Sequence, residues 1–329
     1  MSNKIFSISS AFVLGASFAV ADVPKVAVDI APVHSLVSKV MNGLGKPNLI
    51  IPTEASPHEY QLRPSEAKAL QEAKLVFWIG EDLTPWLEKG LSTLAKDATI
   101  TTLLKADGIE LLDFREGALF EAHDHSDHDD HDDHDDHDHG KHKKKDDHDD
   151  HAGHEGHDHG EHDPHAWLSP GIAKVWLNLI AAKLSEVDPS NASTYFSNAS
   201  SANEDLDSLS DEINKILDPI RKEKFVVLHD AYQYFEKHFN ISASGAISLG
   251  DASDPSPARL KEIKERVEKE DIHCVLAEPQ YNEGLVKAVI EGTHANNAVI
   301  DPLGVSLEIG PNLYDKLIRN LAINLSKCF

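Results

Sequence analysis

SNASTYFSNASSANEDLDSLSDEINKIL, residues 190–217, decides how this chain is built. Apolar or small residues recur at Tyr195, Ala199, Ala202, Leu206, Leu209, Ile213 and Ile216, in steps of 4, 3, 4, 3, 4 and 3. That spacing keeps one stripe on one side of an α-helix. Asp188-Pro189 punctuates its start and Asp218-Pro219 its end, and no Pro or Gly interrupts it. At a rise of about 1.5 Å per residue the helix spans ~40 Å, the length of a small domain. Between two sheet-forming groups it reads as a stiff connector. The competing reading is a long core helix inside one domain.

Short β-rich runs stand on both sides. Before the helix come VAVDI (26–30), LIIPT (49–53) and LVFWIG (75–80). After it come FVVLH (225–229), GAISLG (245–250), CVLAEP (274–279) and NAVIDP (297–302). Helix-period stretches such as SLVSKVMNGL, SEAKALQEA and SPARLKEIKERVEKE separate them. This alternation predicts an α/β protein with two lobes, each a largely parallel sheet flanked by helices. The expected lobes are 22–189 and 218–329, joined by one long rigid helix at 190–217.

Composition sets the class. The 329 residues are 40% apolar and 26% charged, as in a globular protein, with a net charge of −25. Much of that charge is local, since residues 121–163 hold 15 Asp and 3 Glu against 4 Lys, hence −14. An acidic balance excludes nucleic acid as a partner and favours cations. Lys4, the apolar stretch IFSISSAFVLGASFAV and the small residues AVA at 19–21 predict a signal peptide over 1–21, cleaved near Ala21. The mature protein is then exported. In an oxidising compartment its two cysteines, Cys274 and Cys328, are expected to be bridged. Closing that loop would stabilise the fold by ~4 kcal/mol in the chain-entropy model.

Fourteen of the 21 histidines fall in one acidic run, at His123, His125, His128, His131, His134, His137, His139, His142, His148, His151, His154, His157, His159 and His162. The run offers almost nothing to bury and predicts a solvated loop over 121–163 whose metal sites are weak, because each must order the chain first. Three other histidines have a different setting. His58 follows LIIPTEASP, His229 ends FVVLH, and His165 sits in DPHAWLSP ahead of a helix pattern. Asp301, in AVIDPLG, stands at a comparable strand end. Ligands in open α/β sheets bind outside the carboxyl ends of the strands. Three imidazoles and a carboxylate there would suffice for a tetrahedral zinc ion. His34, His238, His273 and His294 are read as structural.

These residues carry a resemblance. ASPHEYQLRPSEAKALQEAKLVFWIGEDL, HAWLSP, VVLHDAYQYFEKHF, and AEPQ followed by IDPLG resemble, in order, segments of the periplasmic metal-binding proteins that serve ABC importers. The zinc-uptake (ZnuA-type) branch is the most similar, and it typically carries an acidic His-rich insertion before the second ligand. The resemblance covers nearly all of the chain after residue 21. It implies two lobes with the metal in the cleft, His58 and His165 as N-lobe ligands, and His229 and Asp301 from the C-lobe. It also implies a C-lobe disulfide, Cys274–Cys328, and delivery of Zn²⁺ by a monomer to a membrane permease and its ATPase subunit. Manganese and iron members are expected to carry a carboxylate in place of His229, and an imidazole there favours zinc. Pro57 replaces a Glu of some relatives, which leaves the fourth ligand open between Asp301, a water and Glu59, in that order.

Three rival functions frame this expectation. A zinc hydrolase needs a general base aimed at a bound water, and the sequence has no HExxH. A storage protein would make the His run the main site. A manganese or iron transporter would share the fold.

Overall fold

The computed structural model describes residues 23–115, 120, 162–248 and 255–329. The predicted signal peptide and all of the His run except His162 lie outside them. The first sheet contains β1 (Val26–Val28), β2 (Asn48–Leu49), β3 (Leu75–Trp78) and β4 (Thr99–Thr102), in the order β2-β1-β3-β4 with every pairing parallel. The second contains β5 (Phe225–His229), β6 (Gly245–Ser248), β7 (Cys274–Ala277) and β8 (Asn296–Val299), in the order β6-β5-β7-β8, again all parallel. Both halves thus repeat one topology. β4 is the strand that apolar runs do not announce: TITT is β-branched but polar, and half of it is exposed at the sheet edge.

The helices are α1 (Ala31–Val40), α2 (Pro64–Glu72), α3 (Pro85–Leu94), α4 (Pro170–Val187), α5 (Ala192–Leu217), α6 (Gln233–Phe239), α7 (Pro257–Lys269), α8 (Glu283–Ile290) and α9 (Leu313–Ser326). Proline opens α2, α3, α4 and α7, where its fixed φ suits the first turn and no N–H is lost. Ser169 and Ser256 cap α4 and α7 by accepting the N–H of Ile172 and Arg259. No helix among the described residues is long and apolar enough to cross a membrane.

The connector is α5, 26 residues long. Its buried face is Tyr195, Ala199, Ala202, Leu206, Leu209, Ile213 and Leu217; Ile216, expected in the stripe, is only half-buried. The reason is drift. A strict 3–4 repeat averages 3.5 residues against the helix's 3.6, so after 21 residues it has slipped by about 60°, whereas Leu217 lies about 40° from Tyr195.

Successive residues of β5 point to opposite faces. Phe225 and Val227 join a core that continues through α1, α4, α5 and α9 to the first sheet, while Val226 and Leu228 join a smaller cluster under α7 and α8. α1 is buried along its whole length, so it forms the centre of the larger core. The Cys274–Cys328 disulfide ties β7 to the end of α9. α9 also reaches back across the molecule. Ser35 Oγ on α1 accepts the Tyr314 N–H at 3.0 Å, Lys39 Nζ lies 2.9 Å from Asp315, and Arg319 forks onto Glu212 of α5 at 2.7 Å.

Candidate metal centre

His229 is the last residue of β5, and its carboxyl-end position turns the ring out of the sheet toward the first lobe. His165 precedes a short 3-10 turn, Ala166–Leu168, that leads into α4. His58 stands on the segment after β2, where Trp86 Nε1 donates to the neighbouring Pro57 carbonyl at 2.8 Å. These residues lie far apart in sequence, and their rings adjoin. The centroids of His58 and His165 are 5.6 Å apart, and those of His165 and His229 are 5.3 Å apart. A Zn–N bond of about 2.0–2.1 Å puts a ring centroid about 3.2 Å from the metal, so two rings at a tetrahedral angle have centroids ~5.2 Å apart. Among the described residues no three His, Cys, Asp or Glu side chains are already closed around one point. The His58–His165 and His165–His229 spacings fall within a few tenths of an ångström of that pairwise value.

Two of the rings are oriented by buried carboxylates. Asp163 Oδ1 accepts the His165 backbone N–H at 2.9 Å and lies 2.7 Å from its Nδ1, while Oδ2 takes Gln233 Nε2 from α6 at 3.2 Å. Glu278 Oε1 lies 2.6 Å from His229 Nδ1. Asp163 and Glu278 are both buried. A carboxylate on Nδ1 fixes the tautomer with the proton there, which leaves the Nε2 lone pair for a cation and raises its basicity. The sequence reading missed both residues. Asp163, two places before His165, and Glu278, just past the end of β7, carried a signal only in retrospect: a carboxylate near a strand or turn end beside a candidate ligand.

The imidazoles line a small, partly open cavity with Ser56, Pro57, Trp167, Glu278, Gln280, Tyr281, Pro302 and Leu303. Asp301 stands just behind this wall. Its carboxylate accepts the N–H groups of Leu303 (3.1 Å), Gly304 (2.8 Å) and Val305 (2.6 Å) and Gln280 Nε2 (3.1 Å). Asp301 therefore shapes the loop that brings Pro302 and Leu303 to the cavity. Glu59 is exposed and lines no part of it. Of the histidines read as structural, His34 sits in α1 with its ring against Pro47 O and Ser38 Oγ. His238 is wedged between Ser169 and Ser210 at 3.4 Å, and burial lowers its pKa.

Described residues that flank the acidic His run meet near His165. Asp113 and His162 form an antiparallel bridge and their side chains lie 2.9 Å apart, while Asp163 N–H donates to Leu112 O at 2.8 Å. Arg115 crosses to the second lobe and forks onto Asp230 and Glu236, with Phe120 over its guanidinium. Burial raises the Asp230 pKa, and Arg115 opposes that rise.

Two lobes of one topology, with an imidazole-lined cleft between them, make this a cleft-type solute-binding protein. The family described as zinc-uptake complex component A, periplasmic, matches residues 26–328, and the chain belongs to that family. It is 47% identical over 303 residues to a high-affinity zinc uptake system protein ZnuA of Brucella abortus, covering 92% of this chain and 91% of that one. It is 44% identical to the protein of the same name from Paracoccus denitrificans, covering 94% and 92%. A crystal structure of ZnuA superposes with a TM-score of 0.72 at 21% identity, over 93% of this chain and 99% of that one, a likeness of fold.

Proposed function

We propose that this protein captures Zn²⁺ in the cleft and delivers it to an ABC-type importer, meeting the permease and its ATPase subunit at the inner membrane. The curated relatives named for high-affinity zinc uptake support this, and the family is a component of an uptake complex rather than a catalyst. His58, His165 and His229 are the zinc ligands, with Asp301 or a water completing the shell. The observation that carries the assignment is the contact of three rings, two of them held through Nδ1 by Asp163 and Glu278. Residues 22–189 and 218–329 act as the lobes, and residues 1–21 direct export to the periplasm, where the protein works as a monomer. The His run is an accessory that binds further zinc weakly.

Metal titration of the mature protein, with and without residues 123–162, tests this reading. One tight Zn²⁺ should remain after the deletion and the weak class should vanish; a tight site lost with the run would make the protein a store. Zn²⁺ should outcompete Mn²⁺ by orders of magnitude, and His229→Glu should narrow the gap by adding a hard oxygen. Equal competition by Mn²⁺ against the unaltered protein would point to a manganese or iron carrier.

A further inference from the structure

Residues 110–115 belong to the first half of the chain, yet they lie along α6 of the second. Lys237 Nζ is 2.7 Å from Glu110, and Gln233 Nε2 donates to the Asp113 carbonyl at 3.0 Å. Tyr234 Oη accepts the Leu112 N–H at 3.0 Å and donates to the Asp163 carbonyl at 2.9 Å. Arg115 completes the series. Its Nε lies 3.0 Å from both oxygens of Asp230, and Nη1 and Nη2 each lie 2.9 Å from an oxygen of Glu236. Asp230 and Glu236 are 5% and 4% exposed, so one guanidinium serves two buried carboxylates. Phe120 stands over the guanidinium, with 3.6 Å from Cζ to the ring centroid, and its N–H donates to Ser244 O of the second lobe at 3.3 Å.

The same strip is fixed to a metal-ligand segment of the first lobe. Asp163 N–H donates to Leu112 O at 2.8 Å, and Asp163 orients His165 through Nδ1. At the other end, Asp230 directly follows His229. Arg115 therefore joins the backbone that carries His165 to the backbone that carries His229, whose rings are 5.3 Å apart. Parting the lobes would pull the guanidinium away and leave two carboxylates buried without their cation. Separating a buried ion pair is strongly unfavourable, because the charge left behind is uncompensated. The planar fork of Arg can hold two carboxylates in fixed geometry, which the point charge of Lys cannot.

We propose that Arg115 is a positioning residue of the metal centre, a clamp between the lobes that keeps the His165 and His229 segments at the spacing a shared cation needs. The inference rests on the zinc reading above. It acts through the spacing of the ligands, since Arg115 lines no part of the cavity. Zinc enters and leaves through the unclamped state, and the clamp stabilises the closed, loaded state against it. Loss of the clamp therefore quickens release and does not slow capture.

The test is stopped-flow zinc capture, and zinc loss into excess chelator, on the mature protein, with the slow phase of loss taken for the cleft and metal-free stability read by urea. Arg115→Met keeps the stem and should quicken the slow phase about 10-fold without slowing capture, since truncating one side of a buried charge pair acts on the off-rate. Arg115→Lys should fall between the wild type and Arg115→Met, because a point charge satisfies one carboxylate at a time. Should Arg115→Met fold poorly, adding Glu236→Gln removes one stranded charge and keeps an oxygen for the Ala243 N–H, which Glu236 Oε2 accepts at 3.0 Å. That double variant too should lose zinc faster than the wild type. A merely structural ion pair would lower the urea midpoint and leave the slow phase at the wild-type rate, and that result would overturn the proposal. Equal rates for Arg115→Lys and Arg115→Met, or a weakening that appears only as slower capture, would overturn it as well. A wild-type protein without a tight zinc site would overturn the zinc reading, and this inference with it.

Discussion

The indole N–H of Trp167 donates to the carbonyl of Pro302 across 2.9 Å, joining the turn after His165 to the loop shaped by Asp301. Tyr314 Oη donates to the Trp167 carbonyl at 2.8 Å, so the same residue is gripped from α9. Both partners belong to the second half of the chain, and Trp167 lines the cavity between the halves. Trp167→Phe keeps most of the apolar contact and strands the Pro302 carbonyl, at a cost of ~1–3 kcal/mol. If that bond holds the cleft shut, zinc loss into excess chelator should quicken about 10-fold, since ~1.4 kcal/mol is a factor of ten. An unchanged rate with lowered stability would reduce the bond to a structural tie.

Asp163 orients His165 and is itself held from α6, so it couples the ligand to the opposite lobe. Asp163→Ala should weaken zinc ~10–100-fold, the range for outer-shell carboxylates. Asp163→Asn should cost less, because its amide oxygen still accepts the Nδ1 proton. Chelator competition on both variants orders them, and equal losses would contradict the orienting role.

The disulfide closes a loop of 54 residues between β7 and α9. Cys328→Ser should cost up to ~4 kcal/mol, or roughly 10 °C in Tm for a chain of this size. Cys274 opens β7 and Glu278 follows its far end, so zinc affinity should change little. Calorimetry together with zinc titration separates the two effects.

Asp29 gives a pH signature. Burial raises its carboxyl pKa from 3.8 to about 7, against the N–H groups of Ile79 and Ile30 that pull it down. Its folded-state pKa is therefore above the unfolded one, so its contribution to stability is complete below about pH 4 and lost as pH rises through about 7. The urea midpoint of the metal-free protein, taken relative to Asp29→Asn, should fall between about pH 4 and 7 and level off above. A flat difference would mean that the carboxyl does not titrate in that window.

Much of this molecule was legible from spacing. The 3–4 repeat of α5 located the connector because a single buried face needs no knowledge of its partner. Among the described residues, seven of the eight strands announced themselves as apolar or β-branched runs, and β4 did not because its threonines sit at an edge. His58, His165 and His229 stood out by their places near strand and turn ends, where an α/β sheet presents its ligands.

What the sequence could not determine is which groups face one another across the fold. Periodicity describes a face and not what covers it, so the end of the α5 stripe fell on Leu217 instead of Ile216 through a drift of a tenth of a residue per turn. Asp163 against His165 was within reach of local reading, but Glu278 against His229, Trp167 against Pro302 and Tyr314 against Ser35 pair residues 49, 135 and 279 positions apart. Only the packing of two sheets around α1, α4, α5 and α9 brings such groups within hydrogen-bond reach. The sequence by itself determined the elements and the chemistry at their ends. Tertiary structure decided the partners, because hydrogen bonds act over about 3 Å and the chain carries no local record of what will arrive there.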